Sequence, residues 1–161
     1  MNIYVNVFDL ASIDAAIEQL EEYRQDLKRK ANEIAEKLSR YGLTLAEASF
    51  AGAAYDGNKD IRVTRDPIEN GYRITASGMT VLFVEFGAGI TYGGGHPEDG
   101  KWGMGPGTYP EGKGHWNQPY GWWIPGGEHT YGNPPSMTMY NTEKDLIREI
   151  ESVAKEVFAS D

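Results

Sequence analysis

The sequence predicts an α+β fold: a small antiparallel sheet packed against a long N-terminal helix and a C-terminal amphipathic helix. Three patterns predict it. Apolar residues recur at three- and four-residue steps from Ile13 to Tyr41; short β-branched and aromatic runs separated by turn residues follow from Leu43 to Phe86; a second apolar stripe closes the chain after Thr142. Adjacent hairpins form an antiparallel meander, not a doubly wound parallel sheet. A chain of 161 residues is the size of one domain with one core, so residues 1–161 are read as a single unit.

Residues 2–8 set Ile3, Val5 and Val7 against Tyr4, Asn6 and Phe8, the period-two pattern of a short strand. Ser12 is then placed to cap a helix carrying Ile13, Ile17, Leu20, Leu27, Ala31, Ile34, Leu38 and Tyr41, with Gly42 as its C-terminal stop. The spacing is nearly heptad, interrupted by Arg24 in the seam. Seven acids and six bases interleave on the polar side between Ile13 and Tyr41, which is a solvated face. The stripe either covers one face of the sheet or is shared with a neighbouring subunit. Strands are expected over Ala46 to Tyr55, Ile61 to Asp66, Tyr72 to Ala76 and Val81 to Phe86, with turns at Gly57-Asn58, Asn70-Gly71 and Ser77-Gly78. Residues 93–135 hold 13 of the 20 glycines, 7 of the 8 prolines, all four tryptophans and all three histidines, a long aromatic Gly/Trp-rich loop. Its aromatic rings need a dry surface, in this subunit or the next. Thr142 with Asp145 three residues later is expected to cap the last helix, whose stripe is Leu146, Ile147, Ile150, Val153, Ala154, Val157 and Phe158.

Composition removes several functions. A net charge of −9 opposes sequence-independent nucleic-acid binding, although an acidic wall would let DNA slide past without sticking. The absence of cysteine removes disulfides, thiolate chemistry and sulfur-based zinc sites. No run approaches the ~20 apolar residues of a membrane span, and the N-terminus lacks a basic, apolar secretion signal, so assembly in the cytoplasm is expected.

Few residues suggest chemistry. His96, His115 and His129, with Glu98, Asp99, Glu111 and Glu128 nearby, fit no metal-ligand spacing, and solvent-facing or loop-packing histidines are the expected alternative. Ser77 lies in no nucleophile elbow, and Gly93-Gly94-Gly95 lacks the GK[ST] of a phosphate loop. Glu85, in Val84-Glu85-Phe86-Gly87-Ala88-Gly89, is the best single acid. A glycosidase could use it, and Trp/Tyr-rich loops line sugar clefts, so a cell-wall carbohydrate-binding module or glycoside hydrolase is the rival reading. The structural alternative is a carboxylate that accepts backbone N–H bonds and fixes the turn beside two glycines. No catalytic residue, cofactor or metal is expected.

The order of Val84-Glu85-Phe86-Gly87-Ala88-Gly89, then Gly121-Trp122-Trp123-Ile124-Pro125-Gly126-Gly127, then the segment from Thr130 to Thr142 (TYGNPPSMTMYNT) resembles the minor tail-component family of long-tailed bacteriophages, the head–tail joining or tail-completion neck proteins. The resemblance covers nearly the whole chain and implies a non-enzymatic virion protein at the head–tail junction. Such a protein forms a ring of copies of itself around the DNA channel, touches neighbouring neck, connector or tail proteins, and meets double-stranded DNA only as it passes. Aromatic residues and methionine are enriched in interface cores, which makes Trp122, Trp123, Tyr131 and Met139 the expected anchors; the competing expectation is that they close the subunit's own core.

Overall fold

The structure is a computed structural model that describes residues 3–89, 95–103, 119–123 and 126–160. It has the predicted α+β composition: a long N-terminal helix, a two-stranded antiparallel sheet and a C-terminal helix.

Helix α1 (Leu10–Gly52) is 43 residues long. Its cap is Asp9, whose side chain accepts the Ala11 N–H at 3.1 Å; Ser12, the expected cap, lies inside the helix and accepts the Asn6 N–H instead. Residues 3–9 form no strand. Asn6 turns the chain locally by accepting the Phe8 and Asp9 N–H groups, and a strand needs a partner, which this segment lacks among the described residues.

The helix also runs through Gly42 and absorbs the expected strand over Ala46 to Tyr55. Two causes are visible. Ala46, Ala48 and Ala51 are strong helix formers, and Gly42 marks a close approach: a Cβ there would lie 2.7 Å from Ile74 Cδ1 and 2.9 Å from Leu146 Cδ1. Both the sheet and the C-terminal helix cross α1 at that point. The helix stops at Gly52, where Lys59 Nζ donates to the carbonyls of Phe50, Ala51 and Ala53 at 3.2, 2.6 and 2.9 Å.

Strands β1 (Arg62–Ile68) and β2 (Gly71–Ser77) form the hairpin expected at Asn70-Gly71, in a register that pairs Val63 with Ala76, Arg65 with Ile74 and Ile68 with Gly71. Arg65 fastens it to α1: the guanidinium lies 3.6 Å from the Tyr72 ring centroid, donates to Ser39 Oγ at 2.8 Å and pairs with Glu36. Hydrogen bonding from Tyr72, then Arg40 and Arg65, holds the Glu36 carboxyl down to about 2.

The expected strand over Val81 to Phe86 is a short helix, α2 (Val81–Phe86). A six-residue apolar run does not by periodicity distinguish strand from buried helix. Asp60 decides the local geometry by accepting Met79 N at 2.8 Å, Thr80 N at 2.9 Å and Thr80 Oγ1 at 2.7 Å, bonds that also hold its carboxyl below the usual range. The sheet therefore has two strands, not four. Within the expected loop of 93–135 the described residues contain helix α3 (Asp99–Trp102) and a small ribbon of β3 (Trp122–Trp123) with β4 (His129–Thr130).

Helix α4 (Thr138–Ala159) lies antiparallel along α1. Thr138 hydrogen-bonds Ser49 at 2.8 Å, Glu156 meets Lys37 at 2.8 Å, and the Phe158 ring sits 5.0 Å from Lys30 Nζ. The helix starts one turn before Thr142, the expected cap, which is buried inside it. Phe50, Ala46, Val84, Phe86, Ala88 and Val157 are the buried apolar residues of the body, and Ala16 is buried near the start of α1. Because α4 ends beside Lys30, the N-terminal part of α1 extends past the body, with Leu10 79%, Ile17 51% and Leu20 54% exposed.

Candidate functional site

The two motifs at Val84–Gly89 and Thr130–Tyr140 fold against each other. Ala88 and Asn133 exchange a pair of backbone hydrogen bonds, each 2.9 Å, while Ser136 N donates to Val84 O at 2.8 Å and Met137 N to Glu85 O at 3.1 Å. Glycines permit this approach. Gly89 (φ +81°) and Gly132 (φ +97°) sit in left-handed conformations, and a Cβ on Gly132 would fall 1.9 Å from the Ala88 carbonyl oxygen. Asn133 Nδ2 adds a bond to Phe83 O at 2.9 Å.

Glu85 lies at the centre of this junction and is buried. Its Oε2 accepts Met139 N at 2.9 Å and its Oε1 accepts Tyr140 N at 3.1 Å, so the carboxylate caps α4 from a distant part of the chain. This explains the early start of the helix, whose own cap position is Met137 at φ +52° with no side-chain bond. His96 completes the arrangement. Buried between Phe86 and Tyr140, it stands 3.3 Å from Glu85 Oε1 through Nε2, while its Nδ1 accepts Glu98 N at 3.1 Å. An imidazole that accepts at Nδ1 carries its proton on Nε2 and donates it to Glu85. The structural alternative for Glu85 is what the geometry displays, with one difference: the N–H groups come from α4, not from the adjacent turn. His96 is loop-packing, His129 is exposed, and His115 lies outside the described residues.

Beyond the junction the ribbon carries an aromatic row. Trp122 pairs with Thr130 and Trp123 with His129; the His129 ring stands edge-on at 5.0 Å from Trp123 and 4.9 Å from Tyr131. The ribbon is tied down at Thr130, which donates to Asp56 at 2.6 Å and accepts Gly132 N at 2.9 Å. Trp123 is 70% exposed and Tyr131 52%, so neither closes this subunit's core, and Trp122 is half-buried. Met139 is not in that row: half-buried, it lines a groove between β2 and α4 with Ile74 and Leu146. Of the four expected anchors, Trp123 and Tyr131 share one surface through His129, Trp122 projects from the other face of the ribbon with Thr130, and Met139 lies in the groove.

Among the described residues no group of three histidine, aspartate or glutamate side chains could hold a metal ion, and no helix is long and apolar enough to cross a membrane. Sequence reasoning passed over His96 as the partner of Glu85, and Lys59 and Asp60 as a pair that caps two neighbouring segments. Two adjacent opposite charges in a turn-rich stretch were the available signal. The chain matches no family model, and no curated protein or solved structure is significantly similar to it.

Proposed function

We propose that this chain is a structural subunit of the head–tail interface of a long-tailed bacteriophage, a neck or tail-completion protein that acts as one copy in a ring around the DNA channel. The reading rests on the resemblance of the EFGAG and TYGNPPSMTMY segments and on one observation above all. The Trp123–His129–Tyr131 row is held by the pairing of β3 with β4 and by edge-on ring contacts, yet left open to solvent. Exposed, preorganised aromatics of this kind favour an interface core, because little side-chain entropy remains to be lost on docking. The net charge of −9 suits a wall past which DNA moves freely.

The rival, a wall-directed hydrolase or sugar-binding module, uses Glu85 as its acid. Both oxygens of Glu85 are already engaged by the N-terminus of α4 and by His96, which supports a building role for this carboxylate. Native mass measurement of the full chain, alone and with neck components, tests the reading. A ring-sized species that joins heads to tails is expected, and replacing Trp122 and Trp123 together by alanine abolishes both. A wild-type chain that remains a single copy while binding or releasing cell-wall fragments contradicts it.

A further inference from the structure

Residues 3–8 have the sequence of a strand and, among the described residues, no strand pairs with them. Tyr4 is 91% exposed and Phe8 97%, with Val7 largely exposed as well, so the segment presents large apolar side chains to water at the tip of the α1 arm. It cannot reach its own sheet. The hairpin tip meets α1 at Ala35, against which Gly71 packs; the helix rises about 1.5 Å per residue, so Leu10 stands roughly 37 Å away along the axis. Seven residues of extended chain span at most about 25 Å.

An acceptor for such a segment exists elsewhere on the molecule. β2 pairs with β1 along one edge and has no strand partner along the other among the described residues. Against it lies an apolar groove of about 520 Å³ lined in part by Ile74, Thr75 and Ala76. Three consecutive strand residues point to alternate faces, so a groove that touches all three runs along the strand edge. Leu82, Met139 and Tyr140 also line it, with Glu85, Glu98 and Glu143 as its acidic members. A two-stranded sheet is marginal alone, and a third strand at this edge would satisfy the open backbone groups while covering the groove.

We infer that residues 3–8 of one copy add as a third strand to the free edge of β2 in a neighbouring copy, with Met139 in the groove that receives them. The inference deepens the ring reading and rests on its premise that copies of this chain contact one another. The occupant fits on charge, since residues 3–8 carry none and the groove beside β2 is mainly apolar. It fits on area too. Tyr4 and Phe8, 91% and 97% exposed, alone offer roughly 300–400 Å² of aromatic surface, a large part of the ~800 Å² that one partner gives to a stable interface. Donor and acceptor are different surfaces, so the contact is head-to-tail, the kind that closes into rings.

The cysteine-free sequence makes the test direct. Full-length Val5→Cys and Thr75→Cys variants are mixed, allowed to assemble and treated with a short bis-maleimide. A covalent two-copy product that requires both variants is expected, together with a fall to single-chain native mass in a full-length V5D/V7D variant whose helical circular dichroism is unchanged. The inference is overturned alone if the V5D/V7D variant keeps the wild-type mass, or if the mixture yields no two-copy product while the wild type assembles. A wild-type chain that never leaves the single-copy state overturns this inference and the ring reading together.

Discussion

The two halves of α1 carry the same apolar spacing and live in different surroundings. From Lys30 to Gly52 the helix is covered: Ala46 and Phe50 are buried, Gly42 is pressed by Ile74 and Leu146, and α4 runs alongside. From Leu10 to Leu27 the large side chains Leu10, Ile17, Leu20 and Leu27 are exposed, while Ile13 is half-buried and Ala16 is buried. Periodicity alone reports that a face wants cover; it does not say whether the cover is in the same chain. The body has its partners and the arm does not, so changes in the body should cost folding and changes in the arm should cost assembly.

The sharpest break on the body side is Gly132→Ala. A left-handed φ and a Cβ 1.9 Å from a carbonyl oxygen leave no room, and a loss of about 3 kcal/mol is expected by chemical denaturation. Glu85→Gln follows. It keeps the shape but removes the charge that caps α4, with an expected loss of about 2 kcal/mol and faster amide exchange at Met139 and Tyr140. Gly42→Leu overfills the crossing of three elements and costs about 1–3 kcal/mol.

Acid should loosen the hairpin before the core. The Glu36 carboxyl is depressed from its ordinary value of 4.5 to about 2, so its bonds to Tyr72, Arg40 and Arg65 contribute fully above pH ~4.5 and are lost as pH falls toward 2. The melting temperature is expected to decline across that window, and Glu36→Gln should flatten the decline. On the arm, Ile17→Glu with Leu20→Glu should move stability at low concentration by less than about 0.5 kcal/mol, because the two residues are 51% and 54% exposed. The same pair should abolish the assembled species in sedimentation.

Much of the architecture was legible in residue order. The hairpin at Asn70-Gly71 and the two amphipathic helices follow from local chemistry. What was not legible shares a physical cause: signals that depend on partners distant in sequence. Gly42 reads as a stop, but its missing side chain admits Ile74 and Leu146; Thr142 reads as a cap, but Glu85 supplies that service from 54 residues upstream of Met139. Val81 to Phe86 is too short for its period to be told. In the candidate site, Trp123 and Tyr131 could be named from composition, whereas the split that sends Met139 to a separate groove required the fold.

Amide hydrogen exchange along α1, followed in the full chain from dilute to assembling concentrations, addresses the contrast between its halves most directly. An uncovered helical arm of this length is marginal in water, so residues 10–27 should exchange rapidly at dilution and gain strong protection on assembly, while residues 30–52 stay protected throughout. Equal protection of both halves at dilution, or an arm that remains unprotected in the assembled species, would contradict the account.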